Sequence, residues 1–583
     1  MTTSQPALSS AGTPDAPGPT AYFSGLRPSR RTILRTGAAA AGTFGAAGLL
    51  GAVGSPPAAG AQTTGGVLDH AHEVFQHGVA SGDPLAGSVL LWTRVTSHPE
   101  DLPGSGAGEP VSLVWQVSSD DSFSDTLASG QVTSDPEGDN CVKIDATGLP
   151  ADTWFSYRFA VAEGPYTGQW IAGRSRTVPS PGVVADHLGI GLTSCANWES
   201  GYFSAYRDMA ESPELDLIMC VGDYIYEYGT GEYGGKDGVV RATEPAHEIV
   251  TLQDYRTRYG QYRTDPDLQA AHAAKPWVVT WDDHEVANDT WRDGAENHQP
   301  ETDGNFHQRH LVAMRAYLEW LPVRATPISE GGHLYRTLNY GSLAEIVMLD
   351  LRSYRDEGLE FRTAGGTDDE SRTMLGSEQF QFLSEQWTTS DALWNLVGNS
   401  VMFTPVLIPP LDPEAHSAVT GLLGIPENGM PYNLDQWDGY AAERRRIIDI
   451  LTANDIDNVV FLTGDIHSSW ATNVPVNAAT FPDSGIAASE IVCTSVSSSN
   501  IDDILGLPAR NAVTISAETA LQAANRHCKY IEFDSHGYVA VHVSQEEIRA
   551  EYRLLTGDVQ IPNQAVHAAQ NYRIRRGEVI SST

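Results

Sequence analysis

Four short segments of this chain end an apolar run with side chains that bind cations. LTSCANWESG (192–201) offers Cys195, and GDYIYE (222–227) offers Asp223 and Tyr226. WDDHEVANDTW (281–291) offers Asp282, Asp283, His284 and Asn288, and GDIHSSW (464–470) offers Asp465 and His467. Each alone has an ordinary explanation. A Gly-Asp after a strand commonly makes a turn closed by an Asx hydrogen bond, and a lone cysteine is most often a small buried hydrophobe. Asp282-Asp283 suits the cap of a following helix, and a lone His467 is more often a satisfied buried histidine than a ligand. Four such ends in this order are hard to assign to chance, and together they point to a metal site. Asp283, Asn288 and Asp465 offer only oxygen and suit a hard ion, whereas the Cys195 thiolate is a soft donor.

Ligands in α/β sheets gather beyond the carboxyl ends of strands, so strands must lie beneath these segments. The candidates are LGIGLTS (188–194), LDLIMCVG (215–222), PWVVTW (276–281), AEIVMLD (344–350), WNLVGNS (394–400) and NVVFLTG (458–464). Between them run helical patterns such as HQRHLVAMRAYLEWLP (307–322), with Leu311, Met314, Leu318 and Leu321 on one face, and WDGYAAERRRIIDILTAN (437–454). The expected class over about 187–555 is therefore α/β. Ahead of it, SVLLWTRV (88–95), VSLVWQVS (111–118), CVKIDATGL (141–149) and WFSYRFAV (154–161) are short strands at regular spacing. They predict a β-sandwich over 74–178, with a fibronectin-type corner in GLPADTWFSYRFAV and no convergent chemistry of its own. SRTVPSPGVVADH (175–187) is the boundary. CKYIEFDSHGYVAVHVSQEEIRAEYRLL (528–555) reads as the last strands of the second sheet, which leaves 556–583 as a lid or a tail.

The formal charge of −38 argues against nucleic-acid binding, favours solubility and attracts divalent cations. Five widely spaced cysteines, Cys141, Cys195, Cys220, Cys493 and Cys528, are not a disulfide framework. In residues 28–62, Arg30-Arg31 precede a mildly apolar Ala/Gly stretch, and Ala59-Gly60-Ala61 offers a cleavage site. This resembles a twin-arginine signal, which implies bacterial export through that machinery, often of a folded chain loaded with its cofactor. The expected product after residue 61 has no stable membrane span and is secreted or held in the periplasm or cell envelope.

The series Cys195, GDYIYE, DDHEVAND and GDIH, together with the opening FQHGVASGDPLAGSVLLWTRV, resembles the PhoD-type alkaline phosphatases, a branch of the calcineurin-like metallophosphoesterases, over about residues 74–555. The resemblance implies a four-layer α-β-β-α sandwich with metals at its rim, preceded by a small immunoglobulin- or fibronectin-like β-sandwich. It implies that Asp223 bridges two metals, and that Cys195, Tyr226 and His467 complete a ferric site. Asp283, Asn288 and Asp465 would hold calcium, one ion or two. Asp465 replaces the first histidine of the wider G-H-x-H scheme, which argues against a second zinc. The ligand role falls to Asp283 or Asp282, with Asp283 favoured. Asn399 stands where many metallophosphatases place a histidine, though a plain hydrogen-bonding role suits it as well. His284 would face the substrate, Arg292 or Arg352 would grip a phosphate oxygen, and EYGTGEYGGKDG (227–238) would be a mobile loop near the mouth. The implied activity is hydrolysis of phosphate esters by metal-bound hydroxide. Its rivals are a phospholipase D releasing choline from phosphatidylcholine, for which TGLLGIPENGMPYN (420–433) is a candidate apolar rim, and a non-catalytic exported binding protein.

Overall fold

The computed structural model describes residues 73–359, 366–406 and 433–583. The signal segment, and the 420–433 loop apart from Asn433, lie outside the described residues. The six strands expected of the α/β region are present within two residues of their expected ends: His187–Thr193, Leu217–Val221, Pro276–Thr280, Ala344–Met348, Trp394–Asn399 and Val459–Thr463. They are apolar almost throughout because both faces are covered, as parallel strands require. The first three pair in parallel, with Ile190 opposite Leu217 and Val279 opposite Cys220. The other three pair in parallel in a second sheet, Ile346 opposite Leu396 and Gly398 opposite Leu462. Each set therefore delivers its strand ends to one place.

The first sheet has ten strands and the second seven. One apolar core is shared between them, joining Leu192, Met219 and Val541 to Met348, Leu396 and Leu462. A second core lies on the other side of the ten-stranded sheet, where Ile218 and Trp277 meet Tyr206, Tyr259 and Tyr317 of helices Ser204–Glu211, Leu252–Tyr262 and Phe306–Trp320. A third sets Val347, Val397 and Phe461 against Leu383 and Ile447 of helices Gly376–Thr389 and Ala441–Ala453.

The structure adds detail at both ends of the chain. The N-terminal strands do form two facing sheets over one core, in which Leu91 and Ala146 meet Leu113 and Phe159. They are not a separate scaffold, however. Ser112–Ser118, Thr126–Thr133, Trp154–Val161 and Trp170–Arg176 make a four-stranded sheet, while Val79–Gly82, Ser88–Arg94 and Cys141–Thr147 extend the ten-stranded sheet. The seam is a parallel pairing of Ser81 with Pro276 and Gly82 with Trp277. Residues 556–583 supply strands Val566–Ile574 and Ser581–Ser582 at the opposite edge of that sheet, so they are not a free tail. The run 528–555 is divided: Cys528–Glu532 joins the seven-stranded sheet, and Gly537–Ser544 and Ile548–Leu555 join the ten-stranded one. All five cysteines are free thiols.

Candidate metal centre

The ends of His187–Thr193, Leu217–Val221 and Pro276–Thr280 lie side by side, and the end of Val459–Thr463 meets them from the other sheet. Two glycines permit this approach. A Cβ on Gly222 would fall 2.4 Å from Asp282 Cβ, and one on Gly464 would fall 2.5 Å from Ser194 Oγ. Around them the backbone enters the left-handed region at Cys195 (φ 61°), Asp223 (φ 54°), Asp465 (φ 67°) and His467 (φ 51°). Such conformations are sparsely populated by residues with a side chain and cost roughly 1–3 kcal/mol each. Strain is concentrated on four of the expected ligands.

These residues converge. Donor atoms of Cys195, Asp223 and His467 lie within 4.8 Å of one another, as do those of Asp223, Asp283 and His284, and those of Asp223, Asp282, Asp283 and Asp465. Asp223 belongs to all three groups. Tyr226 adjoins the first: its Oη donates to Asp223 Oδ2 at 3.0 Å and lies 3.3 Å from His467 Nε2. Asn288 Nδ2 donates to Glu296 at 3.2 Å, while its buried Oδ1 has no hydrogen-bond partner among the described residues. A buried acceptor left alone costs roughly 1–3 kcal/mol, and a cation would relieve that cost. This orphaned oxygen and the mixed donor set together fit bound metal ions.

The environment has been arranged by residues that no sequence spacing singled out. Glu285 accepts from the backbone N–H groups of Asp223 (3.1 Å), Tyr224 (2.5 Å) and Asp282 (2.8 Å), tying two strand ends together. Glu227 accepts from His284 Nδ1 at 2.7 Å, from the Asn288 N–H at 2.8 Å and from Asn297 Nδ2 at 2.9 Å. Asp289 and Asp435, both half-buried, form a further group with Asp283. Arg352 is fully buried and engages both oxygens of Asp282, Nη2 reaching Oδ2 at 2.9 Å. Its guanidinium also lies 2.9 Å from Asp435, 3.6 Å from Asp283 and 4.0 Å from Asp465. Arg292 is half-exposed at the surface, paired with Asp293 (3.1 Å) and Asp356 (2.8 Å). Asn399 donates to Thr463 Oγ1 at 2.9 Å and accepts from Trp437 Nε1 at 3.1 Å, which favours its hydrogen-bonding role.

Burial and the nearby Asp223 carboxylate push the Cys195 thiol and the Tyr226 phenol far up. Only a cation would make them anionic donors. Burial pulls His284 down, but Asp283, Glu227 and Asp223 outweigh it and lift the imidazole to about 10. Aromatic rings cover this histidine: Tyr226 lies 4.2 Å, Tyr228 5.5 Å and Tyr233 6.2 Å from it, centroid to centroid. The 227–238 segment is held in place, with Asn197 Nδ2 donating to the Tyr233 carbonyl at 2.8 Å and Lys236 to that of Leu507.

Soft and hard donors gathered around one shared carboxylate, beyond strand ends of two sheets, define a metallophosphatase-type centre, and comparison with known proteins supplies the family. Residues 190–552 match the PhoD-like phosphatase model and residues 60–179 match the model of the PhoD-like phosphatase N-terminal domain; the chain belongs to the PhoD-like phosphatase family. It is 37% identical over 495 residues to alkaline phosphatase D of Bacillus subtilis (strain 168), covering 82% of this chain and 77% of that protein. It is also similar to a solved structure of PhoD, at a TM-score of 0.75 and 33% identity, covering 89% of this chain and 93% of the other.

Proposed function

We propose that this chain is an exported phosphatase and phosphodiesterase whose site holds one ferric ion and one or two calcium ions. That it is a metal-dependent phosphoric ester hydrolase follows from its family; the metals and residue roles are our reading. The observation that carries it is the position of Asp223, common to a sulfur- and nitrogen-containing group, to one with His284 and to an all-carboxylate one. Cys195, Tyr226 and His467 would complete the iron site, and Asp283, Asn288 and Asp465 the calcium site. Bound there, the cations would neutralise phosphoryl oxygens and acidify a water. His284, its Nδ1 held by Glu227, is the residue proposed to hold a proton for the departing oxygen. Arg352 is fully buried among carboxylates, whereas Arg292, also paired with carboxylates, is half-exposed, so Arg292 is the arginine proposed to meet a phosphoryl oxygen.

The three separate cores support a four-layer α-β-β-α arrangement for the catalytic part, and the paired N-terminal sheets support an immunoglobulin-like add-on to it. Arg30-Arg31 and the Ala/Gly stretch support twin-arginine export. Among the described residues no helix is long and apolar enough to cross a membrane. The apolar rim invoked for a phospholipase D lies outside the described residues, and nothing on the site itself favours that reading.

The test is turnover of a phosphate monoester, a phosphodiester and phosphatidylcholine by the full chain supplied with iron and calcium, each with a chelated control. Fastest cleavage of the small esters, lost on chelation, is the expected result, and preference for phosphatidylcholine with choline release would overturn it. Cys195→Ser should lose bound iron while melting within a few degrees of the parent; a variant with full iron and full activity would remove Cys195 from the ligand set.

A further inference from the structure

Residues 494–500, TSVSSSN, run from the strand Ile486–Val492 to the short helix Ile501–Leu505, behind the thiol, phenol and imidazole of the site. This segment reaches the backbone of Cys195, the phenol and the imidazole. The N–H groups of Ser497 and Ser498 donate to the Cys195 carbonyl at 3.3 and 3.2 Å. The Ser499 carbonyl lies 3.0 Å from His467 Nδ1, which leaves Nε2 on the side of Tyr226. Ser498 Oγ lies 2.7 Å from Tyr226 Oη and 2.9 Å from the Cys195 carbonyl.

That hydroxyl has one proton and two acceptors in reach. The Cys195 carbonyl is already served by two amides. Tyr226 gives its own proton to Asp223 and accepts from Ser498. As a metal ligand it would be a phenolate, and a charged oxygen outbids a neutral carbonyl for a donor roughly twofold in strength. Ser498 is fully buried, so no water competes for either partner.

We propose that Ser498 is a positioning residue that donates its hydroxyl proton to the Tyr226 phenolate and so sets how much electron density this ligand gives to iron. The proposal rests on the reading of Tyr226 as an iron ligand. A hydrogen bond to a phenolate lowers the energy of its lone pairs, which raises the energy of their charge transfer to iron. Removing the bond must move that absorption to longer wavelength. A residue that only packs against the site would not shift it.

The experiment compares visible spectra, iron per chain and melting temperature for the full-length parent, Ser498→Ala, Ser498→Thr and Tyr226→Phe. Expected are a visible band in the parent that Tyr226→Phe abolishes, a shift of that band to longer wavelength in Ser498→Ala at near-parent iron content, and its return in Ser498→Thr. A Ser498→Ala band at the parent wavelength overturns this proposal alone. Iron lost in step with melting temperature, and not restored by threonine, assigns Ser498 to packing and overturns it too. A parent without such a band, or a band that survives Tyr226→Phe, overturns the iron–tyrosine reading and this inference with it.

Discussion

His284 presents one ring nitrogen to the acidic groups because Glu227 holds the other, and Glu227 is itself fixed by Asn288 and Asn297. Partners of this kind typically change activity or affinity by about 10–100-fold when altered. Glu227→Gln should therefore lower kcat by about that factor with metal content and KM near the parent's; steady-state kinetics beside metal analysis decides, and an unchanged kcat would place His284 outside the reaction. Asp282 and Asp283 separate in the same way. Both oxygens of Asp282 are engaged by Arg352, whereas Asp283 groups with Asp223, His284, Asp289 and Asp435. Asp283→Asn should cost calcium, read as calcium per chain. Asp282→Asn should keep the metals yet destabilise the fold, since breaking a buried ion pair costs about 3–5 kcal/mol; the denaturation midpoint reports it. The convergence of the four candidate segments was legible because each joins its potential donors to the apolar strand beneath. Glu227 was in plain view within GDYIYE but carried no signal of its role, because its partner is 57 residues away along the chain.

At the scale of elements, what the site needs most is that strand ends of two sheets come within contact of each other. Gly464 is where they touch, against the buried Ser194, whose Oγ lies 3.1 Å from Cys195 Sγ. Gly464→Ala should force these apart at about 1–3 kcal/mol, the usual cost of overfilling a packed interior. The iron half should suffer most, so iron per chain should fall further than calcium per chain; equal retention of both would show that the ends can shift without harm. Sequence pattern located the central strands because burial on both faces leaves an unbroken apolar run, as in LIMCV and VVFLT. It could not assign strands to sheets. Val79–Gly82 is four residues long and pairs with Pro276 and Trp277, and Val566–Ile574, next to the edge, is polar over much of its length. Pairing over such separations is decided by packing, which a local window does not contain.

Over the whole molecule, 74 acidic residues against 36 basic ones set a field that opposes the arrival of anionic esters. Raising ionic strength from about 0.01 to 0.15 M shortens the screening length from about 30 to 8 Å. We expect kcat/KM for a small phosphate monoester to rise over that range at fixed metal supply; a steady fall would show that cations at the mouth already govern approach. The order of the ten-stranded sheet has a different consequence, one in time. The strand leading to Cys195 is bordered by Gly537–Ser544, and the strand leading to Asp282 and Asp283 by Val79–Gly82. A segment made early and one made much later must both be in place before the central strands have all their neighbours. At about 5–20 residues per second, the interval between residue 82 and residue 537 is tens of seconds. A half-made chain would hold its thiol and its carboxylates without the frame that aligns them, so capture of metal belongs to the end of synthesis.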